Sequence, residues 1–239
     1  MRVKAAKLTE KRQTIEWRSH EPSRLETFSD AVFAFAVTLI IVSLEVPKTF
    51  TELYETMKGT ISFAACFAVI FNIWNDQNIF FRRYGLKDNW TVALNGMLLF
   101  VVLVYAYPLK FLFGLLFYDN TFTQNGHSQE MIHAADTPVL MTIYGAGFAA
   151  IGLLFFLMYR NAVKYAGELN LSPIEIFATN SYSYGNLITV ITGLTSIALA
   201  WLLPLSLSGE SGFVYMTLAI SYSVWYRYRK RKMKRLFSD

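Results

Sequence analysis

Three carboxylates lie in or beside long apolar runs of this chain: Asp30, Glu45 and Asp76. An ionisable side chain at membrane depth is costly unless it has a partner or faces water, so each reads first as a functional position. Asp30 and Asp76 both fall toward the cytoplasmic side, where they could meet across the first two helices. Such a pair could support aspartyl-type hydrolysis or carry protons for a coupled transporter. The Gly-rich motifs of intramembrane aspartyl proteases are missing, however, as are a Gly-x-Ser-x-Gly elbow and a His-Glu-x-x-His pair. His20 lies in a polar arm, and His127 and His133 lie in a polar loop. Cys66 stands alone inside an apolar run, which rules out a disulfide framework and a cysteine metal cluster. The residues therefore give no enzyme chemistry, and no cofactor or resident metal is expected.

The run that starts at Asp30 says more through its spacing. Thr27 to Val46 is 20 residues, about 30 Å as a helix and the thickness of a hydrocarbon core. Phe28, Ala31, Phe35, Thr38, Leu39 and Val42 fall on one stripe of that helix. Thr38 is the one polar side chain deep within it. Two roles remain open for the stripe at this point. It can be a packed surface with Thr38 bonded to its own backbone, or a surface that meets something polar. Asp30 is read as an ion-pair partner of Arg24, which six residues away is reached more easily between helices or subunits.

The elements that must position this helix follow from composition. The chain has 239 residues, 54% hydrophobic and 16% charged, where a soluble domain would carry about a quarter charged. Apolar segments at about 27–46, 60–81, 90–118, 137–159, 183–205 and 212–226 make six spans. If the loops alternate starting from inside, 19 of 22 Lys and Arg fall on the inner side, and only Lys48, Lys58 and Lys110 fall outside. That bias predicts an all-α integral membrane protein with both termini cytoplasmic. It also assigns the basic charge to topology and lipid headgroups rather than to nucleic acid. The organisation is a basic arm over 1–23, a six-span domain over 24–226 and a basic tail over 227–239.

Within this frame, span two contains the polar run Trp74-Asn75-Asp76-Gln77-Asn78. Pro108 is expected to break span three. Ser172-Pro173 is expected to start a short interfacial helix before span five, and the outer loop 119–136 reads as polar. Thr142-Ile-Tyr144-Gly145-Ala-Gly147 contains the residues of a carbonyl filter in the wrong order, with no pore helix before it. Its small residues read as close helix packing.

Arg24-x-x-x-Phe28-Ser29-Asp30, followed by Ala-Val-Phe-Ala-Phe-Ala-Val-Thr38-Leu, resembles the transmembrane protein 175 family of potassium channels. Trp74, Asn95 and Pro108 are looser matches, and the six-span layout resembles the single-repeat members. The resemblance implies a homotetramer in the plasma membrane with helix one around a central pore. It further implies an apolar constriction at Phe35, Leu39 and Val42, with Thr38 adding a hydroxyl ring that a passing K⁺ would meet. Arg24, Phe28, Ser29 and Asp30 would form the motif and network that anchor the helix. Two positions depart from the family: Asn75 follows Trp74 where members carry His, and Phe35 replaces a smaller aliphatic residue. The alternatives are a proton-coupled secondary transporter using the intramembrane carboxylates, and a membrane assembly protein that conducts nothing.

Overall fold

The computed structural model describes residues 16–19, 21–42, 48–58, 60–117, 121–124 and 127–237. Glu45 and His20 lie outside them, as do the side chains of Val42 and His127. The first long helix, α1 (Arg24–Val42), starts at a reciprocal cap. Ser23 N–H donates to Glu26 Oε1 at 2.9 Å, and Glu26 N–H donates back to Ser23 Oγ at 3.3 Å. Two otherwise orphaned amides are thereby satisfied, which fixes where the helix begins. A short helix, α2 (Phe50–Lys58), precedes α3 (Thr60–Tyr84) and α4 (Asn89–Phe117). After the antiparallel hairpin β1 (Thr121–Gln124) and β2 (His127–Glu130) come α5 (Thr137–Lys164) and α6 (Pro173–Leu202). A 3-10 stretch over Leu205–Met216 leads into α7 (Thr217–Phe237).

Among the described residues six helices are long, and α4, α5 and α6 are each long and apolar enough to cross a membrane alone. The fold is thus that of an all-α membrane protein, with one hairpin added where a polar loop was expected. Three further expectations are corrected. Pro108 sits inside an unbroken α4; the backbone bond it removes is one among many, and neighbouring helices support the rest. Ser172 does cap a helix, through a box with Glu175, but no separate interfacial helix follows. Thr179, Asn180 and Ser181 return their polar groups to the carbonyls four residues back, so α6 continues through its polar stretch. The sixth helix begins at Thr217 rather than 212 and runs past residue 227 to Phe237.

The closest helix pairing is α5 against α6. A Cβ on Gly145 would lie 2.5 Å from Ile197 Cγ1 and 2.7 Å from the Gly193 carbonyl oxygen. A Cβ on Gly193 would in turn lie 2.6 Å from the Gly145 carbonyl oxygen. The backbones meet because neither residue has a side chain, the small-residue packing expected of membrane helices. The core then runs from Phe33, Ala36 and Ile40 of α1 through Ile70 of α3 and Leu98 of α4 to Phe155 and Met158 of α5.

Candidate functional site: the first helix and its anchoring network

Helix α1 has two faces with opposite fates. Glu26, Ser29, Phe33, Ala36 and Ile40 are buried, at alternating spacings of three and four residues. That spacing keeps one side of the helix against α3 and α4. The opposite side carries Phe28 and Phe35, 61% and 56% exposed, with Ala31 and Thr38 also exposed. Leu39 is half-buried at its border. The stripe read from the sequence is therefore the side that the subunit's own helices leave uncovered. Val42 lies in the last turn of the same helix.

Thr38 Oγ1 donates to the Ala34 carbonyl oxygen at 2.8 Å. A hydroxyl has one proton and two lone pairs. With the proton turned inward, the oxygen shows only acceptor character to whatever lies beyond the exposed face. The backbone-bonded Thr38 and the Thr38 that offers an oxygen are thus the same arrangement.

Behind the helix runs a buried polar chain. Ser29 Oγ donates to the Leu25 carbonyl at 2.8 Å and accepts from Asn95 Nδ2 at 2.9 Å. Asn95 Oδ1 accepts from Gln77 Nε2 at 3.0 Å. Ser29, Asn95 and Gln77 are all buried and all partnered, joining α1, α4 and α3 in a satisfied network, which specifies one packing. Asp30, on the exposed side, accepts from Trp74 Nε1 at 2.7 Å. Within the chain its partner is thus an indole of α3 rather than Arg24. Arg24 is exposed and makes no hydrogen bond or ion pair among the described residues. At the far end of α1, Lys110 Nζ of α4 donates to the Ile40 carbonyl at 3.0 Å. A cation there suits the negative end of the helix dipole.

Asp76 does not join Asp30. It lines a cavity between α3, α5, α6 and α7, in which Asp30 has no part. The polar run of span two is thus divided: Trp74 and Gln77 hold α1 and its network, while Asp76 faces elsewhere. Gln77 and the Ser23–Glu26 cap were not singled out from the sequence. The cap was readable as Ser-x-x-Glu before an apolar run. Gln77 was one of four consecutive polar residues, with nothing to mark which one turned inward.

A second polar cluster fixes the turn from α3 into α4. Asp88 accepts from Thr91 N–H at 3.1 Å and Thr91 Oγ1 at 2.5 Å, and from Asn161 Nδ2 of α5 at 3.1 and 3.2 Å. Burial by itself would raise the Asp88 carboxyl. The hydrogen bonds from Thr91 and Asn161 outweigh it and hold the group below the ordinary carboxylate range. Among the described residues no three His, Cys, Asp or Glu side chains gather as a metal site.

The family described as endosomal/lysosomal potassium channel TMEM175 matches residues 24–105, the stretch that holds α1, α3 and most of α4. A protein of Marivirga tractuosa named "Potassium channel" is 40% identical over 235 residues, covering 93% of this chain and 94% of that protein. A potassium channel of Chamaesiphon minutus is 24% identical over 76% of this chain and 87% of its own length. Among solved structures, the chain is similar to a Thr-to-Ala variant of the potassium channel MtTMEM175 in complex with a nanobody fusion. The TM-score is 0.78 at 37% identity, over 91% of this chain and 97% of that one. The fold also matches a TMEM175 homolog from Chamaesiphon minutus, with TM-score 0.50 at 20% identity over 88% and 96% of the two chains. The motif straddles the two faces of α1, with Ser29 buried and Phe28 exposed, and the likeness to the Marivirga protein runs nearly end to end: this chain belongs to the TMEM175 family of potassium channels.

Proposed function

We propose that the chain forms a homotetrameric potassium-selective channel in the plasma membrane, both termini cytoplasmic, with α1 of each copy lining a central pore. The observation that carries this reading is the two-faced α1. Its inner face is sealed by its own subunit, and its outer face is an apolar stripe interrupted by one hydroxyl. Four such stripes around an axis make a narrow apolar passage. Phe35, Leu39 and Val42 form its constriction, where an ion sheds water into hydrocarbon at high cost, so the passage closes by dewetting. The Thr38 oxygens, with their protons turned away, supply acceptors at the same narrowing. Na⁺ is smaller and loses hydration at greater cost, so a partly dehydrating passage favours K⁺. Ser29, held by Asn95, and Asp30, held by Trp74, support fixed placement of α1, and Arg24 completes the motif. Phe28 lies on the uncovered stripe near the entrance.

Ion flux into liposomes containing the purified protein tests the proposal. K⁺ and Rb⁺ should pass more readily than Na⁺ and without dependence on a pH gradient. Equal passage of all three sinks selectivity, and flux that saturates and follows an imposed pH gradient replaces the channel with a coupled carrier.

A further inference from the structure

The cavity that takes Asp76 shares no residue with the α1 network or the uncovered stripe. Its volume is about 650 Å³, within the range of ligand pockets. Along α5 it extends from Phe148 to Tyr159, about 16 Å of helix. The two ends differ in chemistry. Toward Phe148 the walls are mostly aromatic and aliphatic, including Tyr105 and Ile151, with Asn186 and Thr189 among them. At the other end stand Arg83 of α3 and Arg229 of α7.

The two guanidinium carbons each lie 4.7 Å from the centroid of the Tyr182 ring. Two like charges converging on one ring repel each other, more so where water is scarce. Arg83 Nη1 is buried and has no hydrogen-bond partner. A guanidinium donor so placed is costly to leave unmet. Asp76 lies seven residues back on α3, about 10 Å along the helix, and makes no ion pair among the described residues. The charged end therefore keeps an excess of positive charge and an unmet donor. Beyond it the largely apolar walls leave room for more than a bare anion.

We propose that this cavity binds an anionic phospholipid. Its phosphate oxygens accept from Arg83 and Arg229, and an acyl chain lies along the walls toward Phe148. Guanidinium forks match phosphate oxygens in geometry as well as charge. Six further Lys and Arg from Arg227 to Arg235 flank Arg229 in sequence and draw anionic headgroups to it. The inference needs the chain to lie in a membrane but not α1 to line a pore.

Native mass spectrometry of the delipidated full-length protein, supplied with phosphatidylglycerol or phosphatidylcholine, tests it. Wild type should retain phosphatidylglycerol preferentially. Arg83→Gln and Arg229→Gln should each weaken that retention about tenfold, the loss of one charge-assisted contact. Lys234→Gln and Arg235→Gln, which carry the same charge change outside the cavity, should weaken it far less than either cavity variant. Millimolar inorganic phosphate should not displace the lipid. Undiminished retention by the Arg83→Gln/Arg229→Gln double variant overturns the proposal, as does equal loss in the tail variants. Displacement by inorganic phosphate overturns it in favour of a free-anion site. If Arg83→Gln fails to fold, half-buried Arg229 on α7 gives the same comparison by itself.

Discussion

Thr38 satisfies two requirements with one hydroxyl: its proton is consumed by the Ala34 carbonyl, and its lone pairs remain for the open side of α1. Thr38→Val keeps the branched shape and removes the oxygen. It should lower the preference for K⁺ over Na⁺ severalfold while conduction persists, read as a shift in bi-ionic reversal potential. Thr38→Ser should keep the preference. Unchanged selectivity in the valine variant would remove the hydroxyl from the mechanism. Asn95 is the residue that holds the network from behind, bonded to both Ser29 and Gln77. Asn95→Leu leaves Gln77 Nε2 without its partner, while Ser29 Oγ keeps its bond to the Leu25 carbonyl, and should cost about 1–3 kcal/mol. Thermal unfolding in detergent should show it as a clear drop in midpoint. Trp74→Phe, which removes a bond on the exposed side, should cost less than about 1 kcal/mol by the same measurement.

At the scale of elements, the α3–α4 turn gives a pH test. The Asp88 carboxyl sits below its ordinary range in the folded chain. Its stabilising contribution is present above its unfolded value, about 3.9, and is lost as pH falls through the folded one. Thermal stability should therefore decline on acidification below about pH 4, and Asp88→Asn should lose part of that decline. A variant with an unaltered slope would show that Asp88 contributes nothing to the acid response. The α5–α6 pair gives a packing test. Gly193→Ala drives a methyl onto the Gly145 carbonyl, which is backbone and cannot rotate away. It should destabilise by about 1–3 kcal/mol, and an unchanged melting midpoint would contradict the close approach. These elements were legible to different degrees. Charge bias and apolar runs gave the number and rough placement of the long helices because both are summed over many residues. The uninterrupted α6 was hidden because Thr179, Asn180 and Ser181 lower the apolar count while spending their polar groups on their own helix. The stripe on α1 was readable from a period of 3.6. Which side of α1 the protein covers was not, since Val32, Phe33 and Ile40 are as apolar as Phe28 and Phe35. That choice rests on Asn95 and Gln77, distant residues whose direction only packing decides.

For the whole molecule, the uncovered face of α1 predicts assembly. In a Cys66→Ser background, Ala31→Cys should form disulfide-linked pairs between copies on mild oxidation, and the particle mass should equal four chains. A monomer with no crosslinking would leave the stripe as lipid-facing surface. The grip of α4 on α1 has a mechanical consequence for that assembly. Asn95 fastens the beginning of α1 through Ser29, and Lys110 fastens its end through the Ile40 carbonyl. The two helices thus run in the same direction, joined by two rungs. The inner rung lies more than three turns before Pro108, whereas the outer one lies two residues beyond it, where the missing amide leaves the Val104 carbonyl without its usual bond. For the proposed assembly this predicts an α1 held firmly at its root and more compliant at its tip. Distance labels at position 28 in neighbouring copies should hold one separation in every state. Labels at position 39 should report the bending of α4, and the part of the axis that moves is the part hung from the proline.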